Sequence, residues 1–284
     1  MPRLHIRHRT ELRYAGTACE SVNEVRLVPR TGPRLRVERA SLEVRPAARM
    51  SRHVDAFGNE VRWFQVVEPH DVLTIDAEAV VTSEVPRPLL RALFPAEQWS
   101  TLDHPEYRDL HTEHLAASTY VRYGAGVAEL ADELAVPEER GVDRWLLRLA
   151  DAVSEVIAYE PGATAVDTPV EDVVRHRRGV CQDLAHVMIA LCRHRGVPAR
   201  YVSGWLYGPA TAGPAESHAW VEAHVPGAGW MEVDPTHPGR LDGHHVRVAT
   251  GRDYADVPPL RGSYTGAPAS GMTVSVEIAR LETD

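Results

Sequence analysis

The chain has 284 residues, enough for a sizeable core and about two domains. It carries 31 Lys+Arg against 40 Asp+Glu, a formal net charge of −9, with 44% hydrophobic and 25% charged residues. This is a globular composition, and it argues against nucleic acid or an anionic membrane surface as the main partner, since both require clustered positive charge. Every basic residue other than histidine is arginine; with no lysine, Schiff-base chemistry, pyridoxal phosphate linkage and Walker-type loops are excluded. No apolar run approaches the ~18 residues of a membrane span. The first fourteen residues alternate charged and apolar side chains instead of forming the apolar stretch of a signal peptide, so a cytoplasmic location is expected.

The first ~85 residues read as strands. Leu4, Ile6, Leu12 and Tyr14 are apolar with polar residues between them, and similar segments follow at 24–28, 35–44, 61–67 and 72–81. A β-sandwich-like module over residues 1–85 is the simplest account. Val85-Pro86-Arg87-Pro88 then opens a linker over 86–105, with a second domain over 106–284 that includes the C-terminal strands. In that domain Val142, Trp145, Leu146, Leu149, Val153 and Val156 follow the spacing of an amphipathic helix, which Pro161-Gly162 stops. Thr168-Pro169-Val170-Glu171 resembles an N-cap, a first-turn proline and a capping-box glutamate, opening a short helix to Gly179.

Residues 180–195 form one more helix, with Leu184, Val187, Met188 and Leu191 on its apolar face and Gly196-Val197-Pro198 as its stop. Strand-like runs follow at 199–206, 219–225 and 229–233, with further pieces at 245–249 and 272–278. Helices followed by an antiparallel sheet make the second part an α+β domain.

Cys19, Cys181 and Cys192 are too few and too scattered for a disulfide framework. On one helix Cys181 and Cys192 would lie about 16 Å apart, beyond the ~7 Å reach of a disulfide, so free thiols are expected. Cys181 falls in the first turn of its helix, where the partial positive charge favours the thiolate that makes cysteine a nucleophile. Cys192, on the same helix, reads as a structural thiol.

Acyl transfer through cysteine also needs an imidazole to take and return the proton, and an acceptor to orient that imidazole. His218 opens one strand and Asp234 closes the next. Directly opposite positions of an antiparallel pair share a face, and a reversal centred on Pro226 sets His218 against Asp234. Centring on Ala228 would instead set His218 against Pro238 and leave Asp234 roughly 14 Å along the strand. The trio therefore requires the first register or a bulge.

The blocks 178–186 (RGVCQDLAH), 196–204 (GVPARYVSG), 217–222 (SHAWVE) and 229–236 (GWMEVDPT) together resemble the core of the transglutaminase-like superfamily. The β-rich N-terminal module and the tail 248–259 (VATGRDYADVPP) resemble its bacterial branch, so most of the chain is covered. The resemblance implies a papain-like core in which a cysteine helix packs on an antiparallel sheet. Cys181 would be the nucleophile, His218 the general base and then acid, and Asp234 the orienting carboxylate. The implied substrate is a peptide or amide that passes through a thioester on Cys181 to water; an amine acceptor, as in a true transglutaminase, is the alternative.

The backbone N–H of Cys181 is the natural first donor to the oxyanion, with Gln182 or Trp220 as candidates for the second and Tyr159 lining the cleft. No cofactor or metal is expected. His111 and His114 at i, i+3 and the pair His244-His245 lack a third ligand at standard spacing, and the first two read as solvated helix histidines. His186 is expected to serve packing, and His237 is a weaker rival to His218. No Gly-x-Ser-x-Gly elbow supports a serine hydrolase. The reading from another class is an inactive fold whose N-terminal module binds protein.

Overall fold

The computed structural model describes residues 2–84, 93–122, 124–138, 141–208, 216–238, 241 and 243–282. Period-two alternation builds the first sheet from β1 (Arg3–Val28), β2 (Leu35–Arg45), β3 (Met50–Val54), β4 (Glu60–Val66) and β5 (His70–Ser83). Residues of β1 near its start pair with β5, and those near its end pair with β4. Register shifts near Arg13 and Val25, with a left-handed backbone at Glu20 (φ 51°), let this one strand serve both halves. Leu4 and Ile6 from one half and Val25, Phe64 and Val66 from the other fill one core.

Helices follow as α1 (Pro95–Leu102), α2 (Pro105–Leu110), α3 (Thr112–Leu115), α4 (Ala125–Leu134) and α5 (Val142–Val156). Next come β6 (Ala158–Tyr159), α6 (Val170–His176), β7 (Arg178–Gly179) and α7 (Cys181–His194). A second sheet in the order β10-β9-β8-β11 is made by β8 (Ala199–Leu206), β9 (Glu216–Val225), β10 (Gly229–Val233) and β11 (His245–Gly251). Val187, Met188 and Leu191 of α7 pack with Ala219, Val221 and Ala223 of β9 in the helical core. Two last strands, β12 (Leu260–Gly266) and β13 (Ala269–Leu281), complete the chain's order. Among the described residues no helix is long and apolar enough to cross a membrane.

Four expectations change. Of the C-terminal strands, β11 extends the second domain's sheet as expected, but β12 and β13 both pair with β1, making the first sheet seven-stranded. The proposed linker contains α1, whose fully buried Gln98 accepts the Val142 N–H at 2.9 Å and so ties it to α5; the boundary block 85–88 lies outside the described residues. The helix after Pro169 ends at His176, because Arg177 turns left-handed (φ 54°) and sends the chain into β7. Glu171 caps another helix, its carboxylate accepting N–H groups of Gly124, Gly126 and Val127 at the start of α4.

Candidate active site

Cys181 is the first residue of α7, and the loop before it is fixed from inside the helix. The Asp183 carboxylate accepts the Val180 N–H at 2.7 Å and the Thr164 hydroxyl at 2.6 Å, which holds the helix start in place. Burial pushes the Asp183 carboxyl up, against the pull of those two bonds. Position 179 must be glycine, since a Cβ there would lie 2.6 Å from that of Asp183. Cys181 itself is partly exposed, whereas Cys192 is fully buried and its thiol is pushed out of reach of ionisation.

β9 presents His218, and Asp234 lies one residue beyond the end of β10. The β9–β10 reversal matches neither register weighed from the sequence: it pairs Gly229 with Val225 and Val233 with Val221, centring on Gly227. Continued by one residue, it sets Asp234 level with Trp220 and diagonal to His218 on the same face. Diagonal neighbours are about 7–8 Å apart at the backbone, within reach of these two side chains, so no bulge is needed. His218 Nε2 meets Asp234 Oδ2 at 2.8 Å, and the same ring lies near enough to Cys181 for the thiol to favour its cation. With Nε2–H given to the carboxylate, Nδ1 is the nitrogen left free to take a proton.

Burial disfavours the His218 cation, but its bond to Asp234, the nearby Cys181 and the charges of both outweigh this and raise it to about 9. Asp234 is fully buried, which alone would push it up; the bonds from His218 and His245 instead hold it well below the usual carboxylate range. Its other oxygen, Oδ1, accepts the Thr236 N–H at 2.8 Å.

The remaining candidates separate. Tyr159 is about half exposed (49%) and pairs with Gly179 across β6–β7, which puts it at the surface beside the cysteine. Gln182 donates its side-chain amide to the Val166 carbonyl at 2.9 Å. Trp220 is fully buried, and among the described residues its indole N–H has no acceptor. It stacks on His218 at 6.0 Å between ring centres and lies against Gly204, where any Cβ would be 2.5 Å from the indole. His186 is buried, and its Nε2 accepts the Tyr254 N–H. His237 is exposed, 5.4 Å from His218 between ring centres.

The i, i+3 histidines of α2–α3 are not solvated. His111 is buried and packs on His224 and Trp230, while half-buried His114 sits edge-on to Trp230. Burial lowers all three imidazoles, His114 and His224 to about 4.

The residue missed from the sequence is His245, weighed there only for metal binding. Its Nε2 meets the same Asp234 Oδ2 at 2.9 Å. The sequence placed it only at the head of a strand, three residues before the family-like block 248–259, with no sign of its link to Asp234. The ligand-type atoms of His218, Asp234 and His245 lie within 4.8 Å of one another, the grouping among the described residues best suited to a metal ion. Both contacts to the carboxylate have hydrogen-bond lengths and suit N–H donors on an ionised oxygen.

A cysteine helix packed on an antiparallel sheet that carries histidine and aspartate is a papain-like arrangement. Residues 128–235 match the transglutaminase-like superfamily core, and residues 4–82 match the bacterial transglutaminase-like N-terminal region. ML0607 of Mycobacterium leprae is 34% identical over 99% of this chain and 100% of its own length. A protein-glutamine gamma-glutamyltransferase of Pseudomonas aeruginosa is 34% identical over 49% of this chain and 23% of its own length. The solved structure of a "putative cysteine protease" from Cytophaga hutchinsonii, 23% identical, covers 100% of this chain and 92% of that one with a TM-score of 0.76, so the two share a fold. The chain belongs to the transglutaminase-like superfamily.

Proposed function

We propose that the protein is a cysteine-dependent acyl-transfer enzyme acting on a peptide or amide carbonyl, with water as the usual acceptor. One observation carries the reading: a single imidazole, His218, is hydrogen-bonded to a buried carboxylate and lies near enough to a helix-start thiol for that thiol to favour its cation. Donation of Nε2–H to Asp234 fixes the tautomer, so that Nδ1 takes the proton of Cys181. The sulfur adds to the carbonyl carbon, and the carbonyl electron pair moves to oxygen, beside N–H groups that open α7 and lack acceptors within the helix. Collapse of this intermediate expels the amine, which takes the proton from His218 and leaves a thioester. Water, deprotonated by the same ring, then releases the acid and restores the thiol. An amine in place of water is the second reading, favoured by the match to the gamma-glutamyltransferase. Three free cysteines agree with a reducing compartment, and we place the protein in the cytoplasm.

The test is a panel of acyl amides carrying a reactive probe, applied to wild type, Cys181→Ala and His218→Ala. The expected result is a covalent adduct on wild type alone. A primary-amine probe with a glutamine peptide separates the acceptors, since stable amine incorporation would favour transfer. Equal labelling of wild type and Cys181→Ala would refute the reading.

A further inference from the structure

We propose that His245 is a positioning residue: it anchors the carboxylate oxygen that orients His218 and so sets how the imidazole meets Cys181. The inference rests on the function proposed above and deepens it. Asp234 Oδ2 receives two contacts, Nε2 of His218 at 2.8 Å and Nε2 of His245 at 2.9 Å. An ionised oxygen donates nothing, so both rings must carry a proton at Nε2. Of the two rings, His218 is the one whose affinity for a proton the Cys181 thiol raises. His245 thus acts at one remove, on the acceptor and not on the reacting atoms.

The carboxylate needs such an anchor. Asp234 leaves the end of β10 and is no longer held by that strand's pairing, whereas His245 begins β11, on the far edge of the same sheet. The Thr236 N–H fixes Oδ1, and His245 fixes Oδ2 from the opposite side, so rotation of the carboxylate breaks one bond or the other. The His245 ring is itself immobilised. Its side chain is 5% exposed, and it sits edge-on to Trp220 with ring centres 5.0 Å apart, while Trp220 stacks on His218. Trp220 therefore packs against both imidazoles. Among the described residues the titratable groups around the carboxylate are His218, His245 and, beyond His218, Cys181 and His237.

The test uses the full chain and needs no natural substrate. Iodoacetamide alkylation of Cys181 is followed against pH in wild type, His245→Phe, His245→Gln and His218→Ala, with thermal melting to report folding. Phe keeps the aromatic packing without the donor, and Gln restores an N–H. We expect His245→Phe to slow alkylation near pH 6 by about tenfold, as lost orienting bonds do elsewhere, and to move the profile toward that of an ordinary thiol. His245→Gln should recover most of the rate. Phe and Gln variants that are equally slow would mark a merely structural role, and a wild-type profile in folded His245→Phe would show no role; either result overturns the proposal. An unchanged profile in His218→Ala would instead refute the proposed function itself.

Discussion

On the outer face of the first sheet Arg9 reaches Asp76 at 2.6 Å and His5 reaches Glu78 at 2.6 Å, with half of the Arg9 side chain in water. In the second sheet Glu222 is 3% exposed and lies between Arg200, at 2.6 Å, and Arg247, at 3.0 Å; its cross-strand partner Glu232 takes Arg34. The pairs look alike on a list of distances, yet their physics differs. Water screens the first kind, which contributes little to stability. The second kind has given up hydration, so each member depends on its partners. Burial of charge is concentrated in the sheet that also carries His218 and Asp234, and this is what tunes those groups. Arg34 brings the first sheet's chain into that network.

Glu222→Gln gives the sharpest contrast. It keeps the shape and removes the counter-charge from two partly buried guanidinium groups, so urea unfolding should show a loss of about 3–5 kcal/mol. A variant as stable as wild type would erase the distinction between the sheets.

The next effect is on pH dependence. His218 stands at about 9 in the folded chain against 6.5 in a free side chain, so its contribution is complete below pH 6.5 and lost as pH rises through 9. That loss is of the order of 3 kcal/mol. Burial, and then Glu222 beside it, raise Glu232 from 4.5 to about 7, and this contribution is likewise lost as pH rises, between those values. Asp234 has the opposite sign: held low, it contributes above about pH 3.8 and fails only in stronger acid. His114 and His224, lowered to about 4, add stability as pH rises toward 6.5, so the decline lies above that value. Urea midpoints should fall from pH 6.5 to pH 9, with Glu232→Gln trimming only the start of that decline and His218→Gln flattening the rest. A flat curve in wild type would show that burial of these groups has no energetic consequence. The smallest effect belongs to the first sheet: Arg9→Ala should leave the melting temperature unchanged within error, and a clear drop would mean that the outer face is not merely solvated.

Much of this was legible in the sequence because burial in sheets and helices leaves a period. The alternation at Leu4, Ile6, Leu12 and Tyr14 marked the first strand, and the 3.6-residue spacing around Leu184 and Met188 marked the cysteine helix almost to its ends. Cys181, His218 and Asp234 could be named because each sits in its own recognisable block. Pairing across long separations leaves no such trace. Nothing in residues 260–281 announces that they join β1, and nothing near His245 announces that it shares an oxygen with His218. The register of β9 and β10 was open for a similar reason, since a glycine-rich reversal accepts several centres and packing chooses among them.

The pairing of β13 with the opening residues of β1 has a consequence for how the molecule is made. During translation the first strand emerges long before its neighbour, and more than two hundred residues, including the whole helix-bearing portion, must be threaded out between them. The opening sheet thus remains unfinished, with an open edge along its longest strand, until residue 281 has cleared the ribosome. Completion of this sheet is a late event, tied to emergence of residues 260–281 and not to that of the first hundred residues.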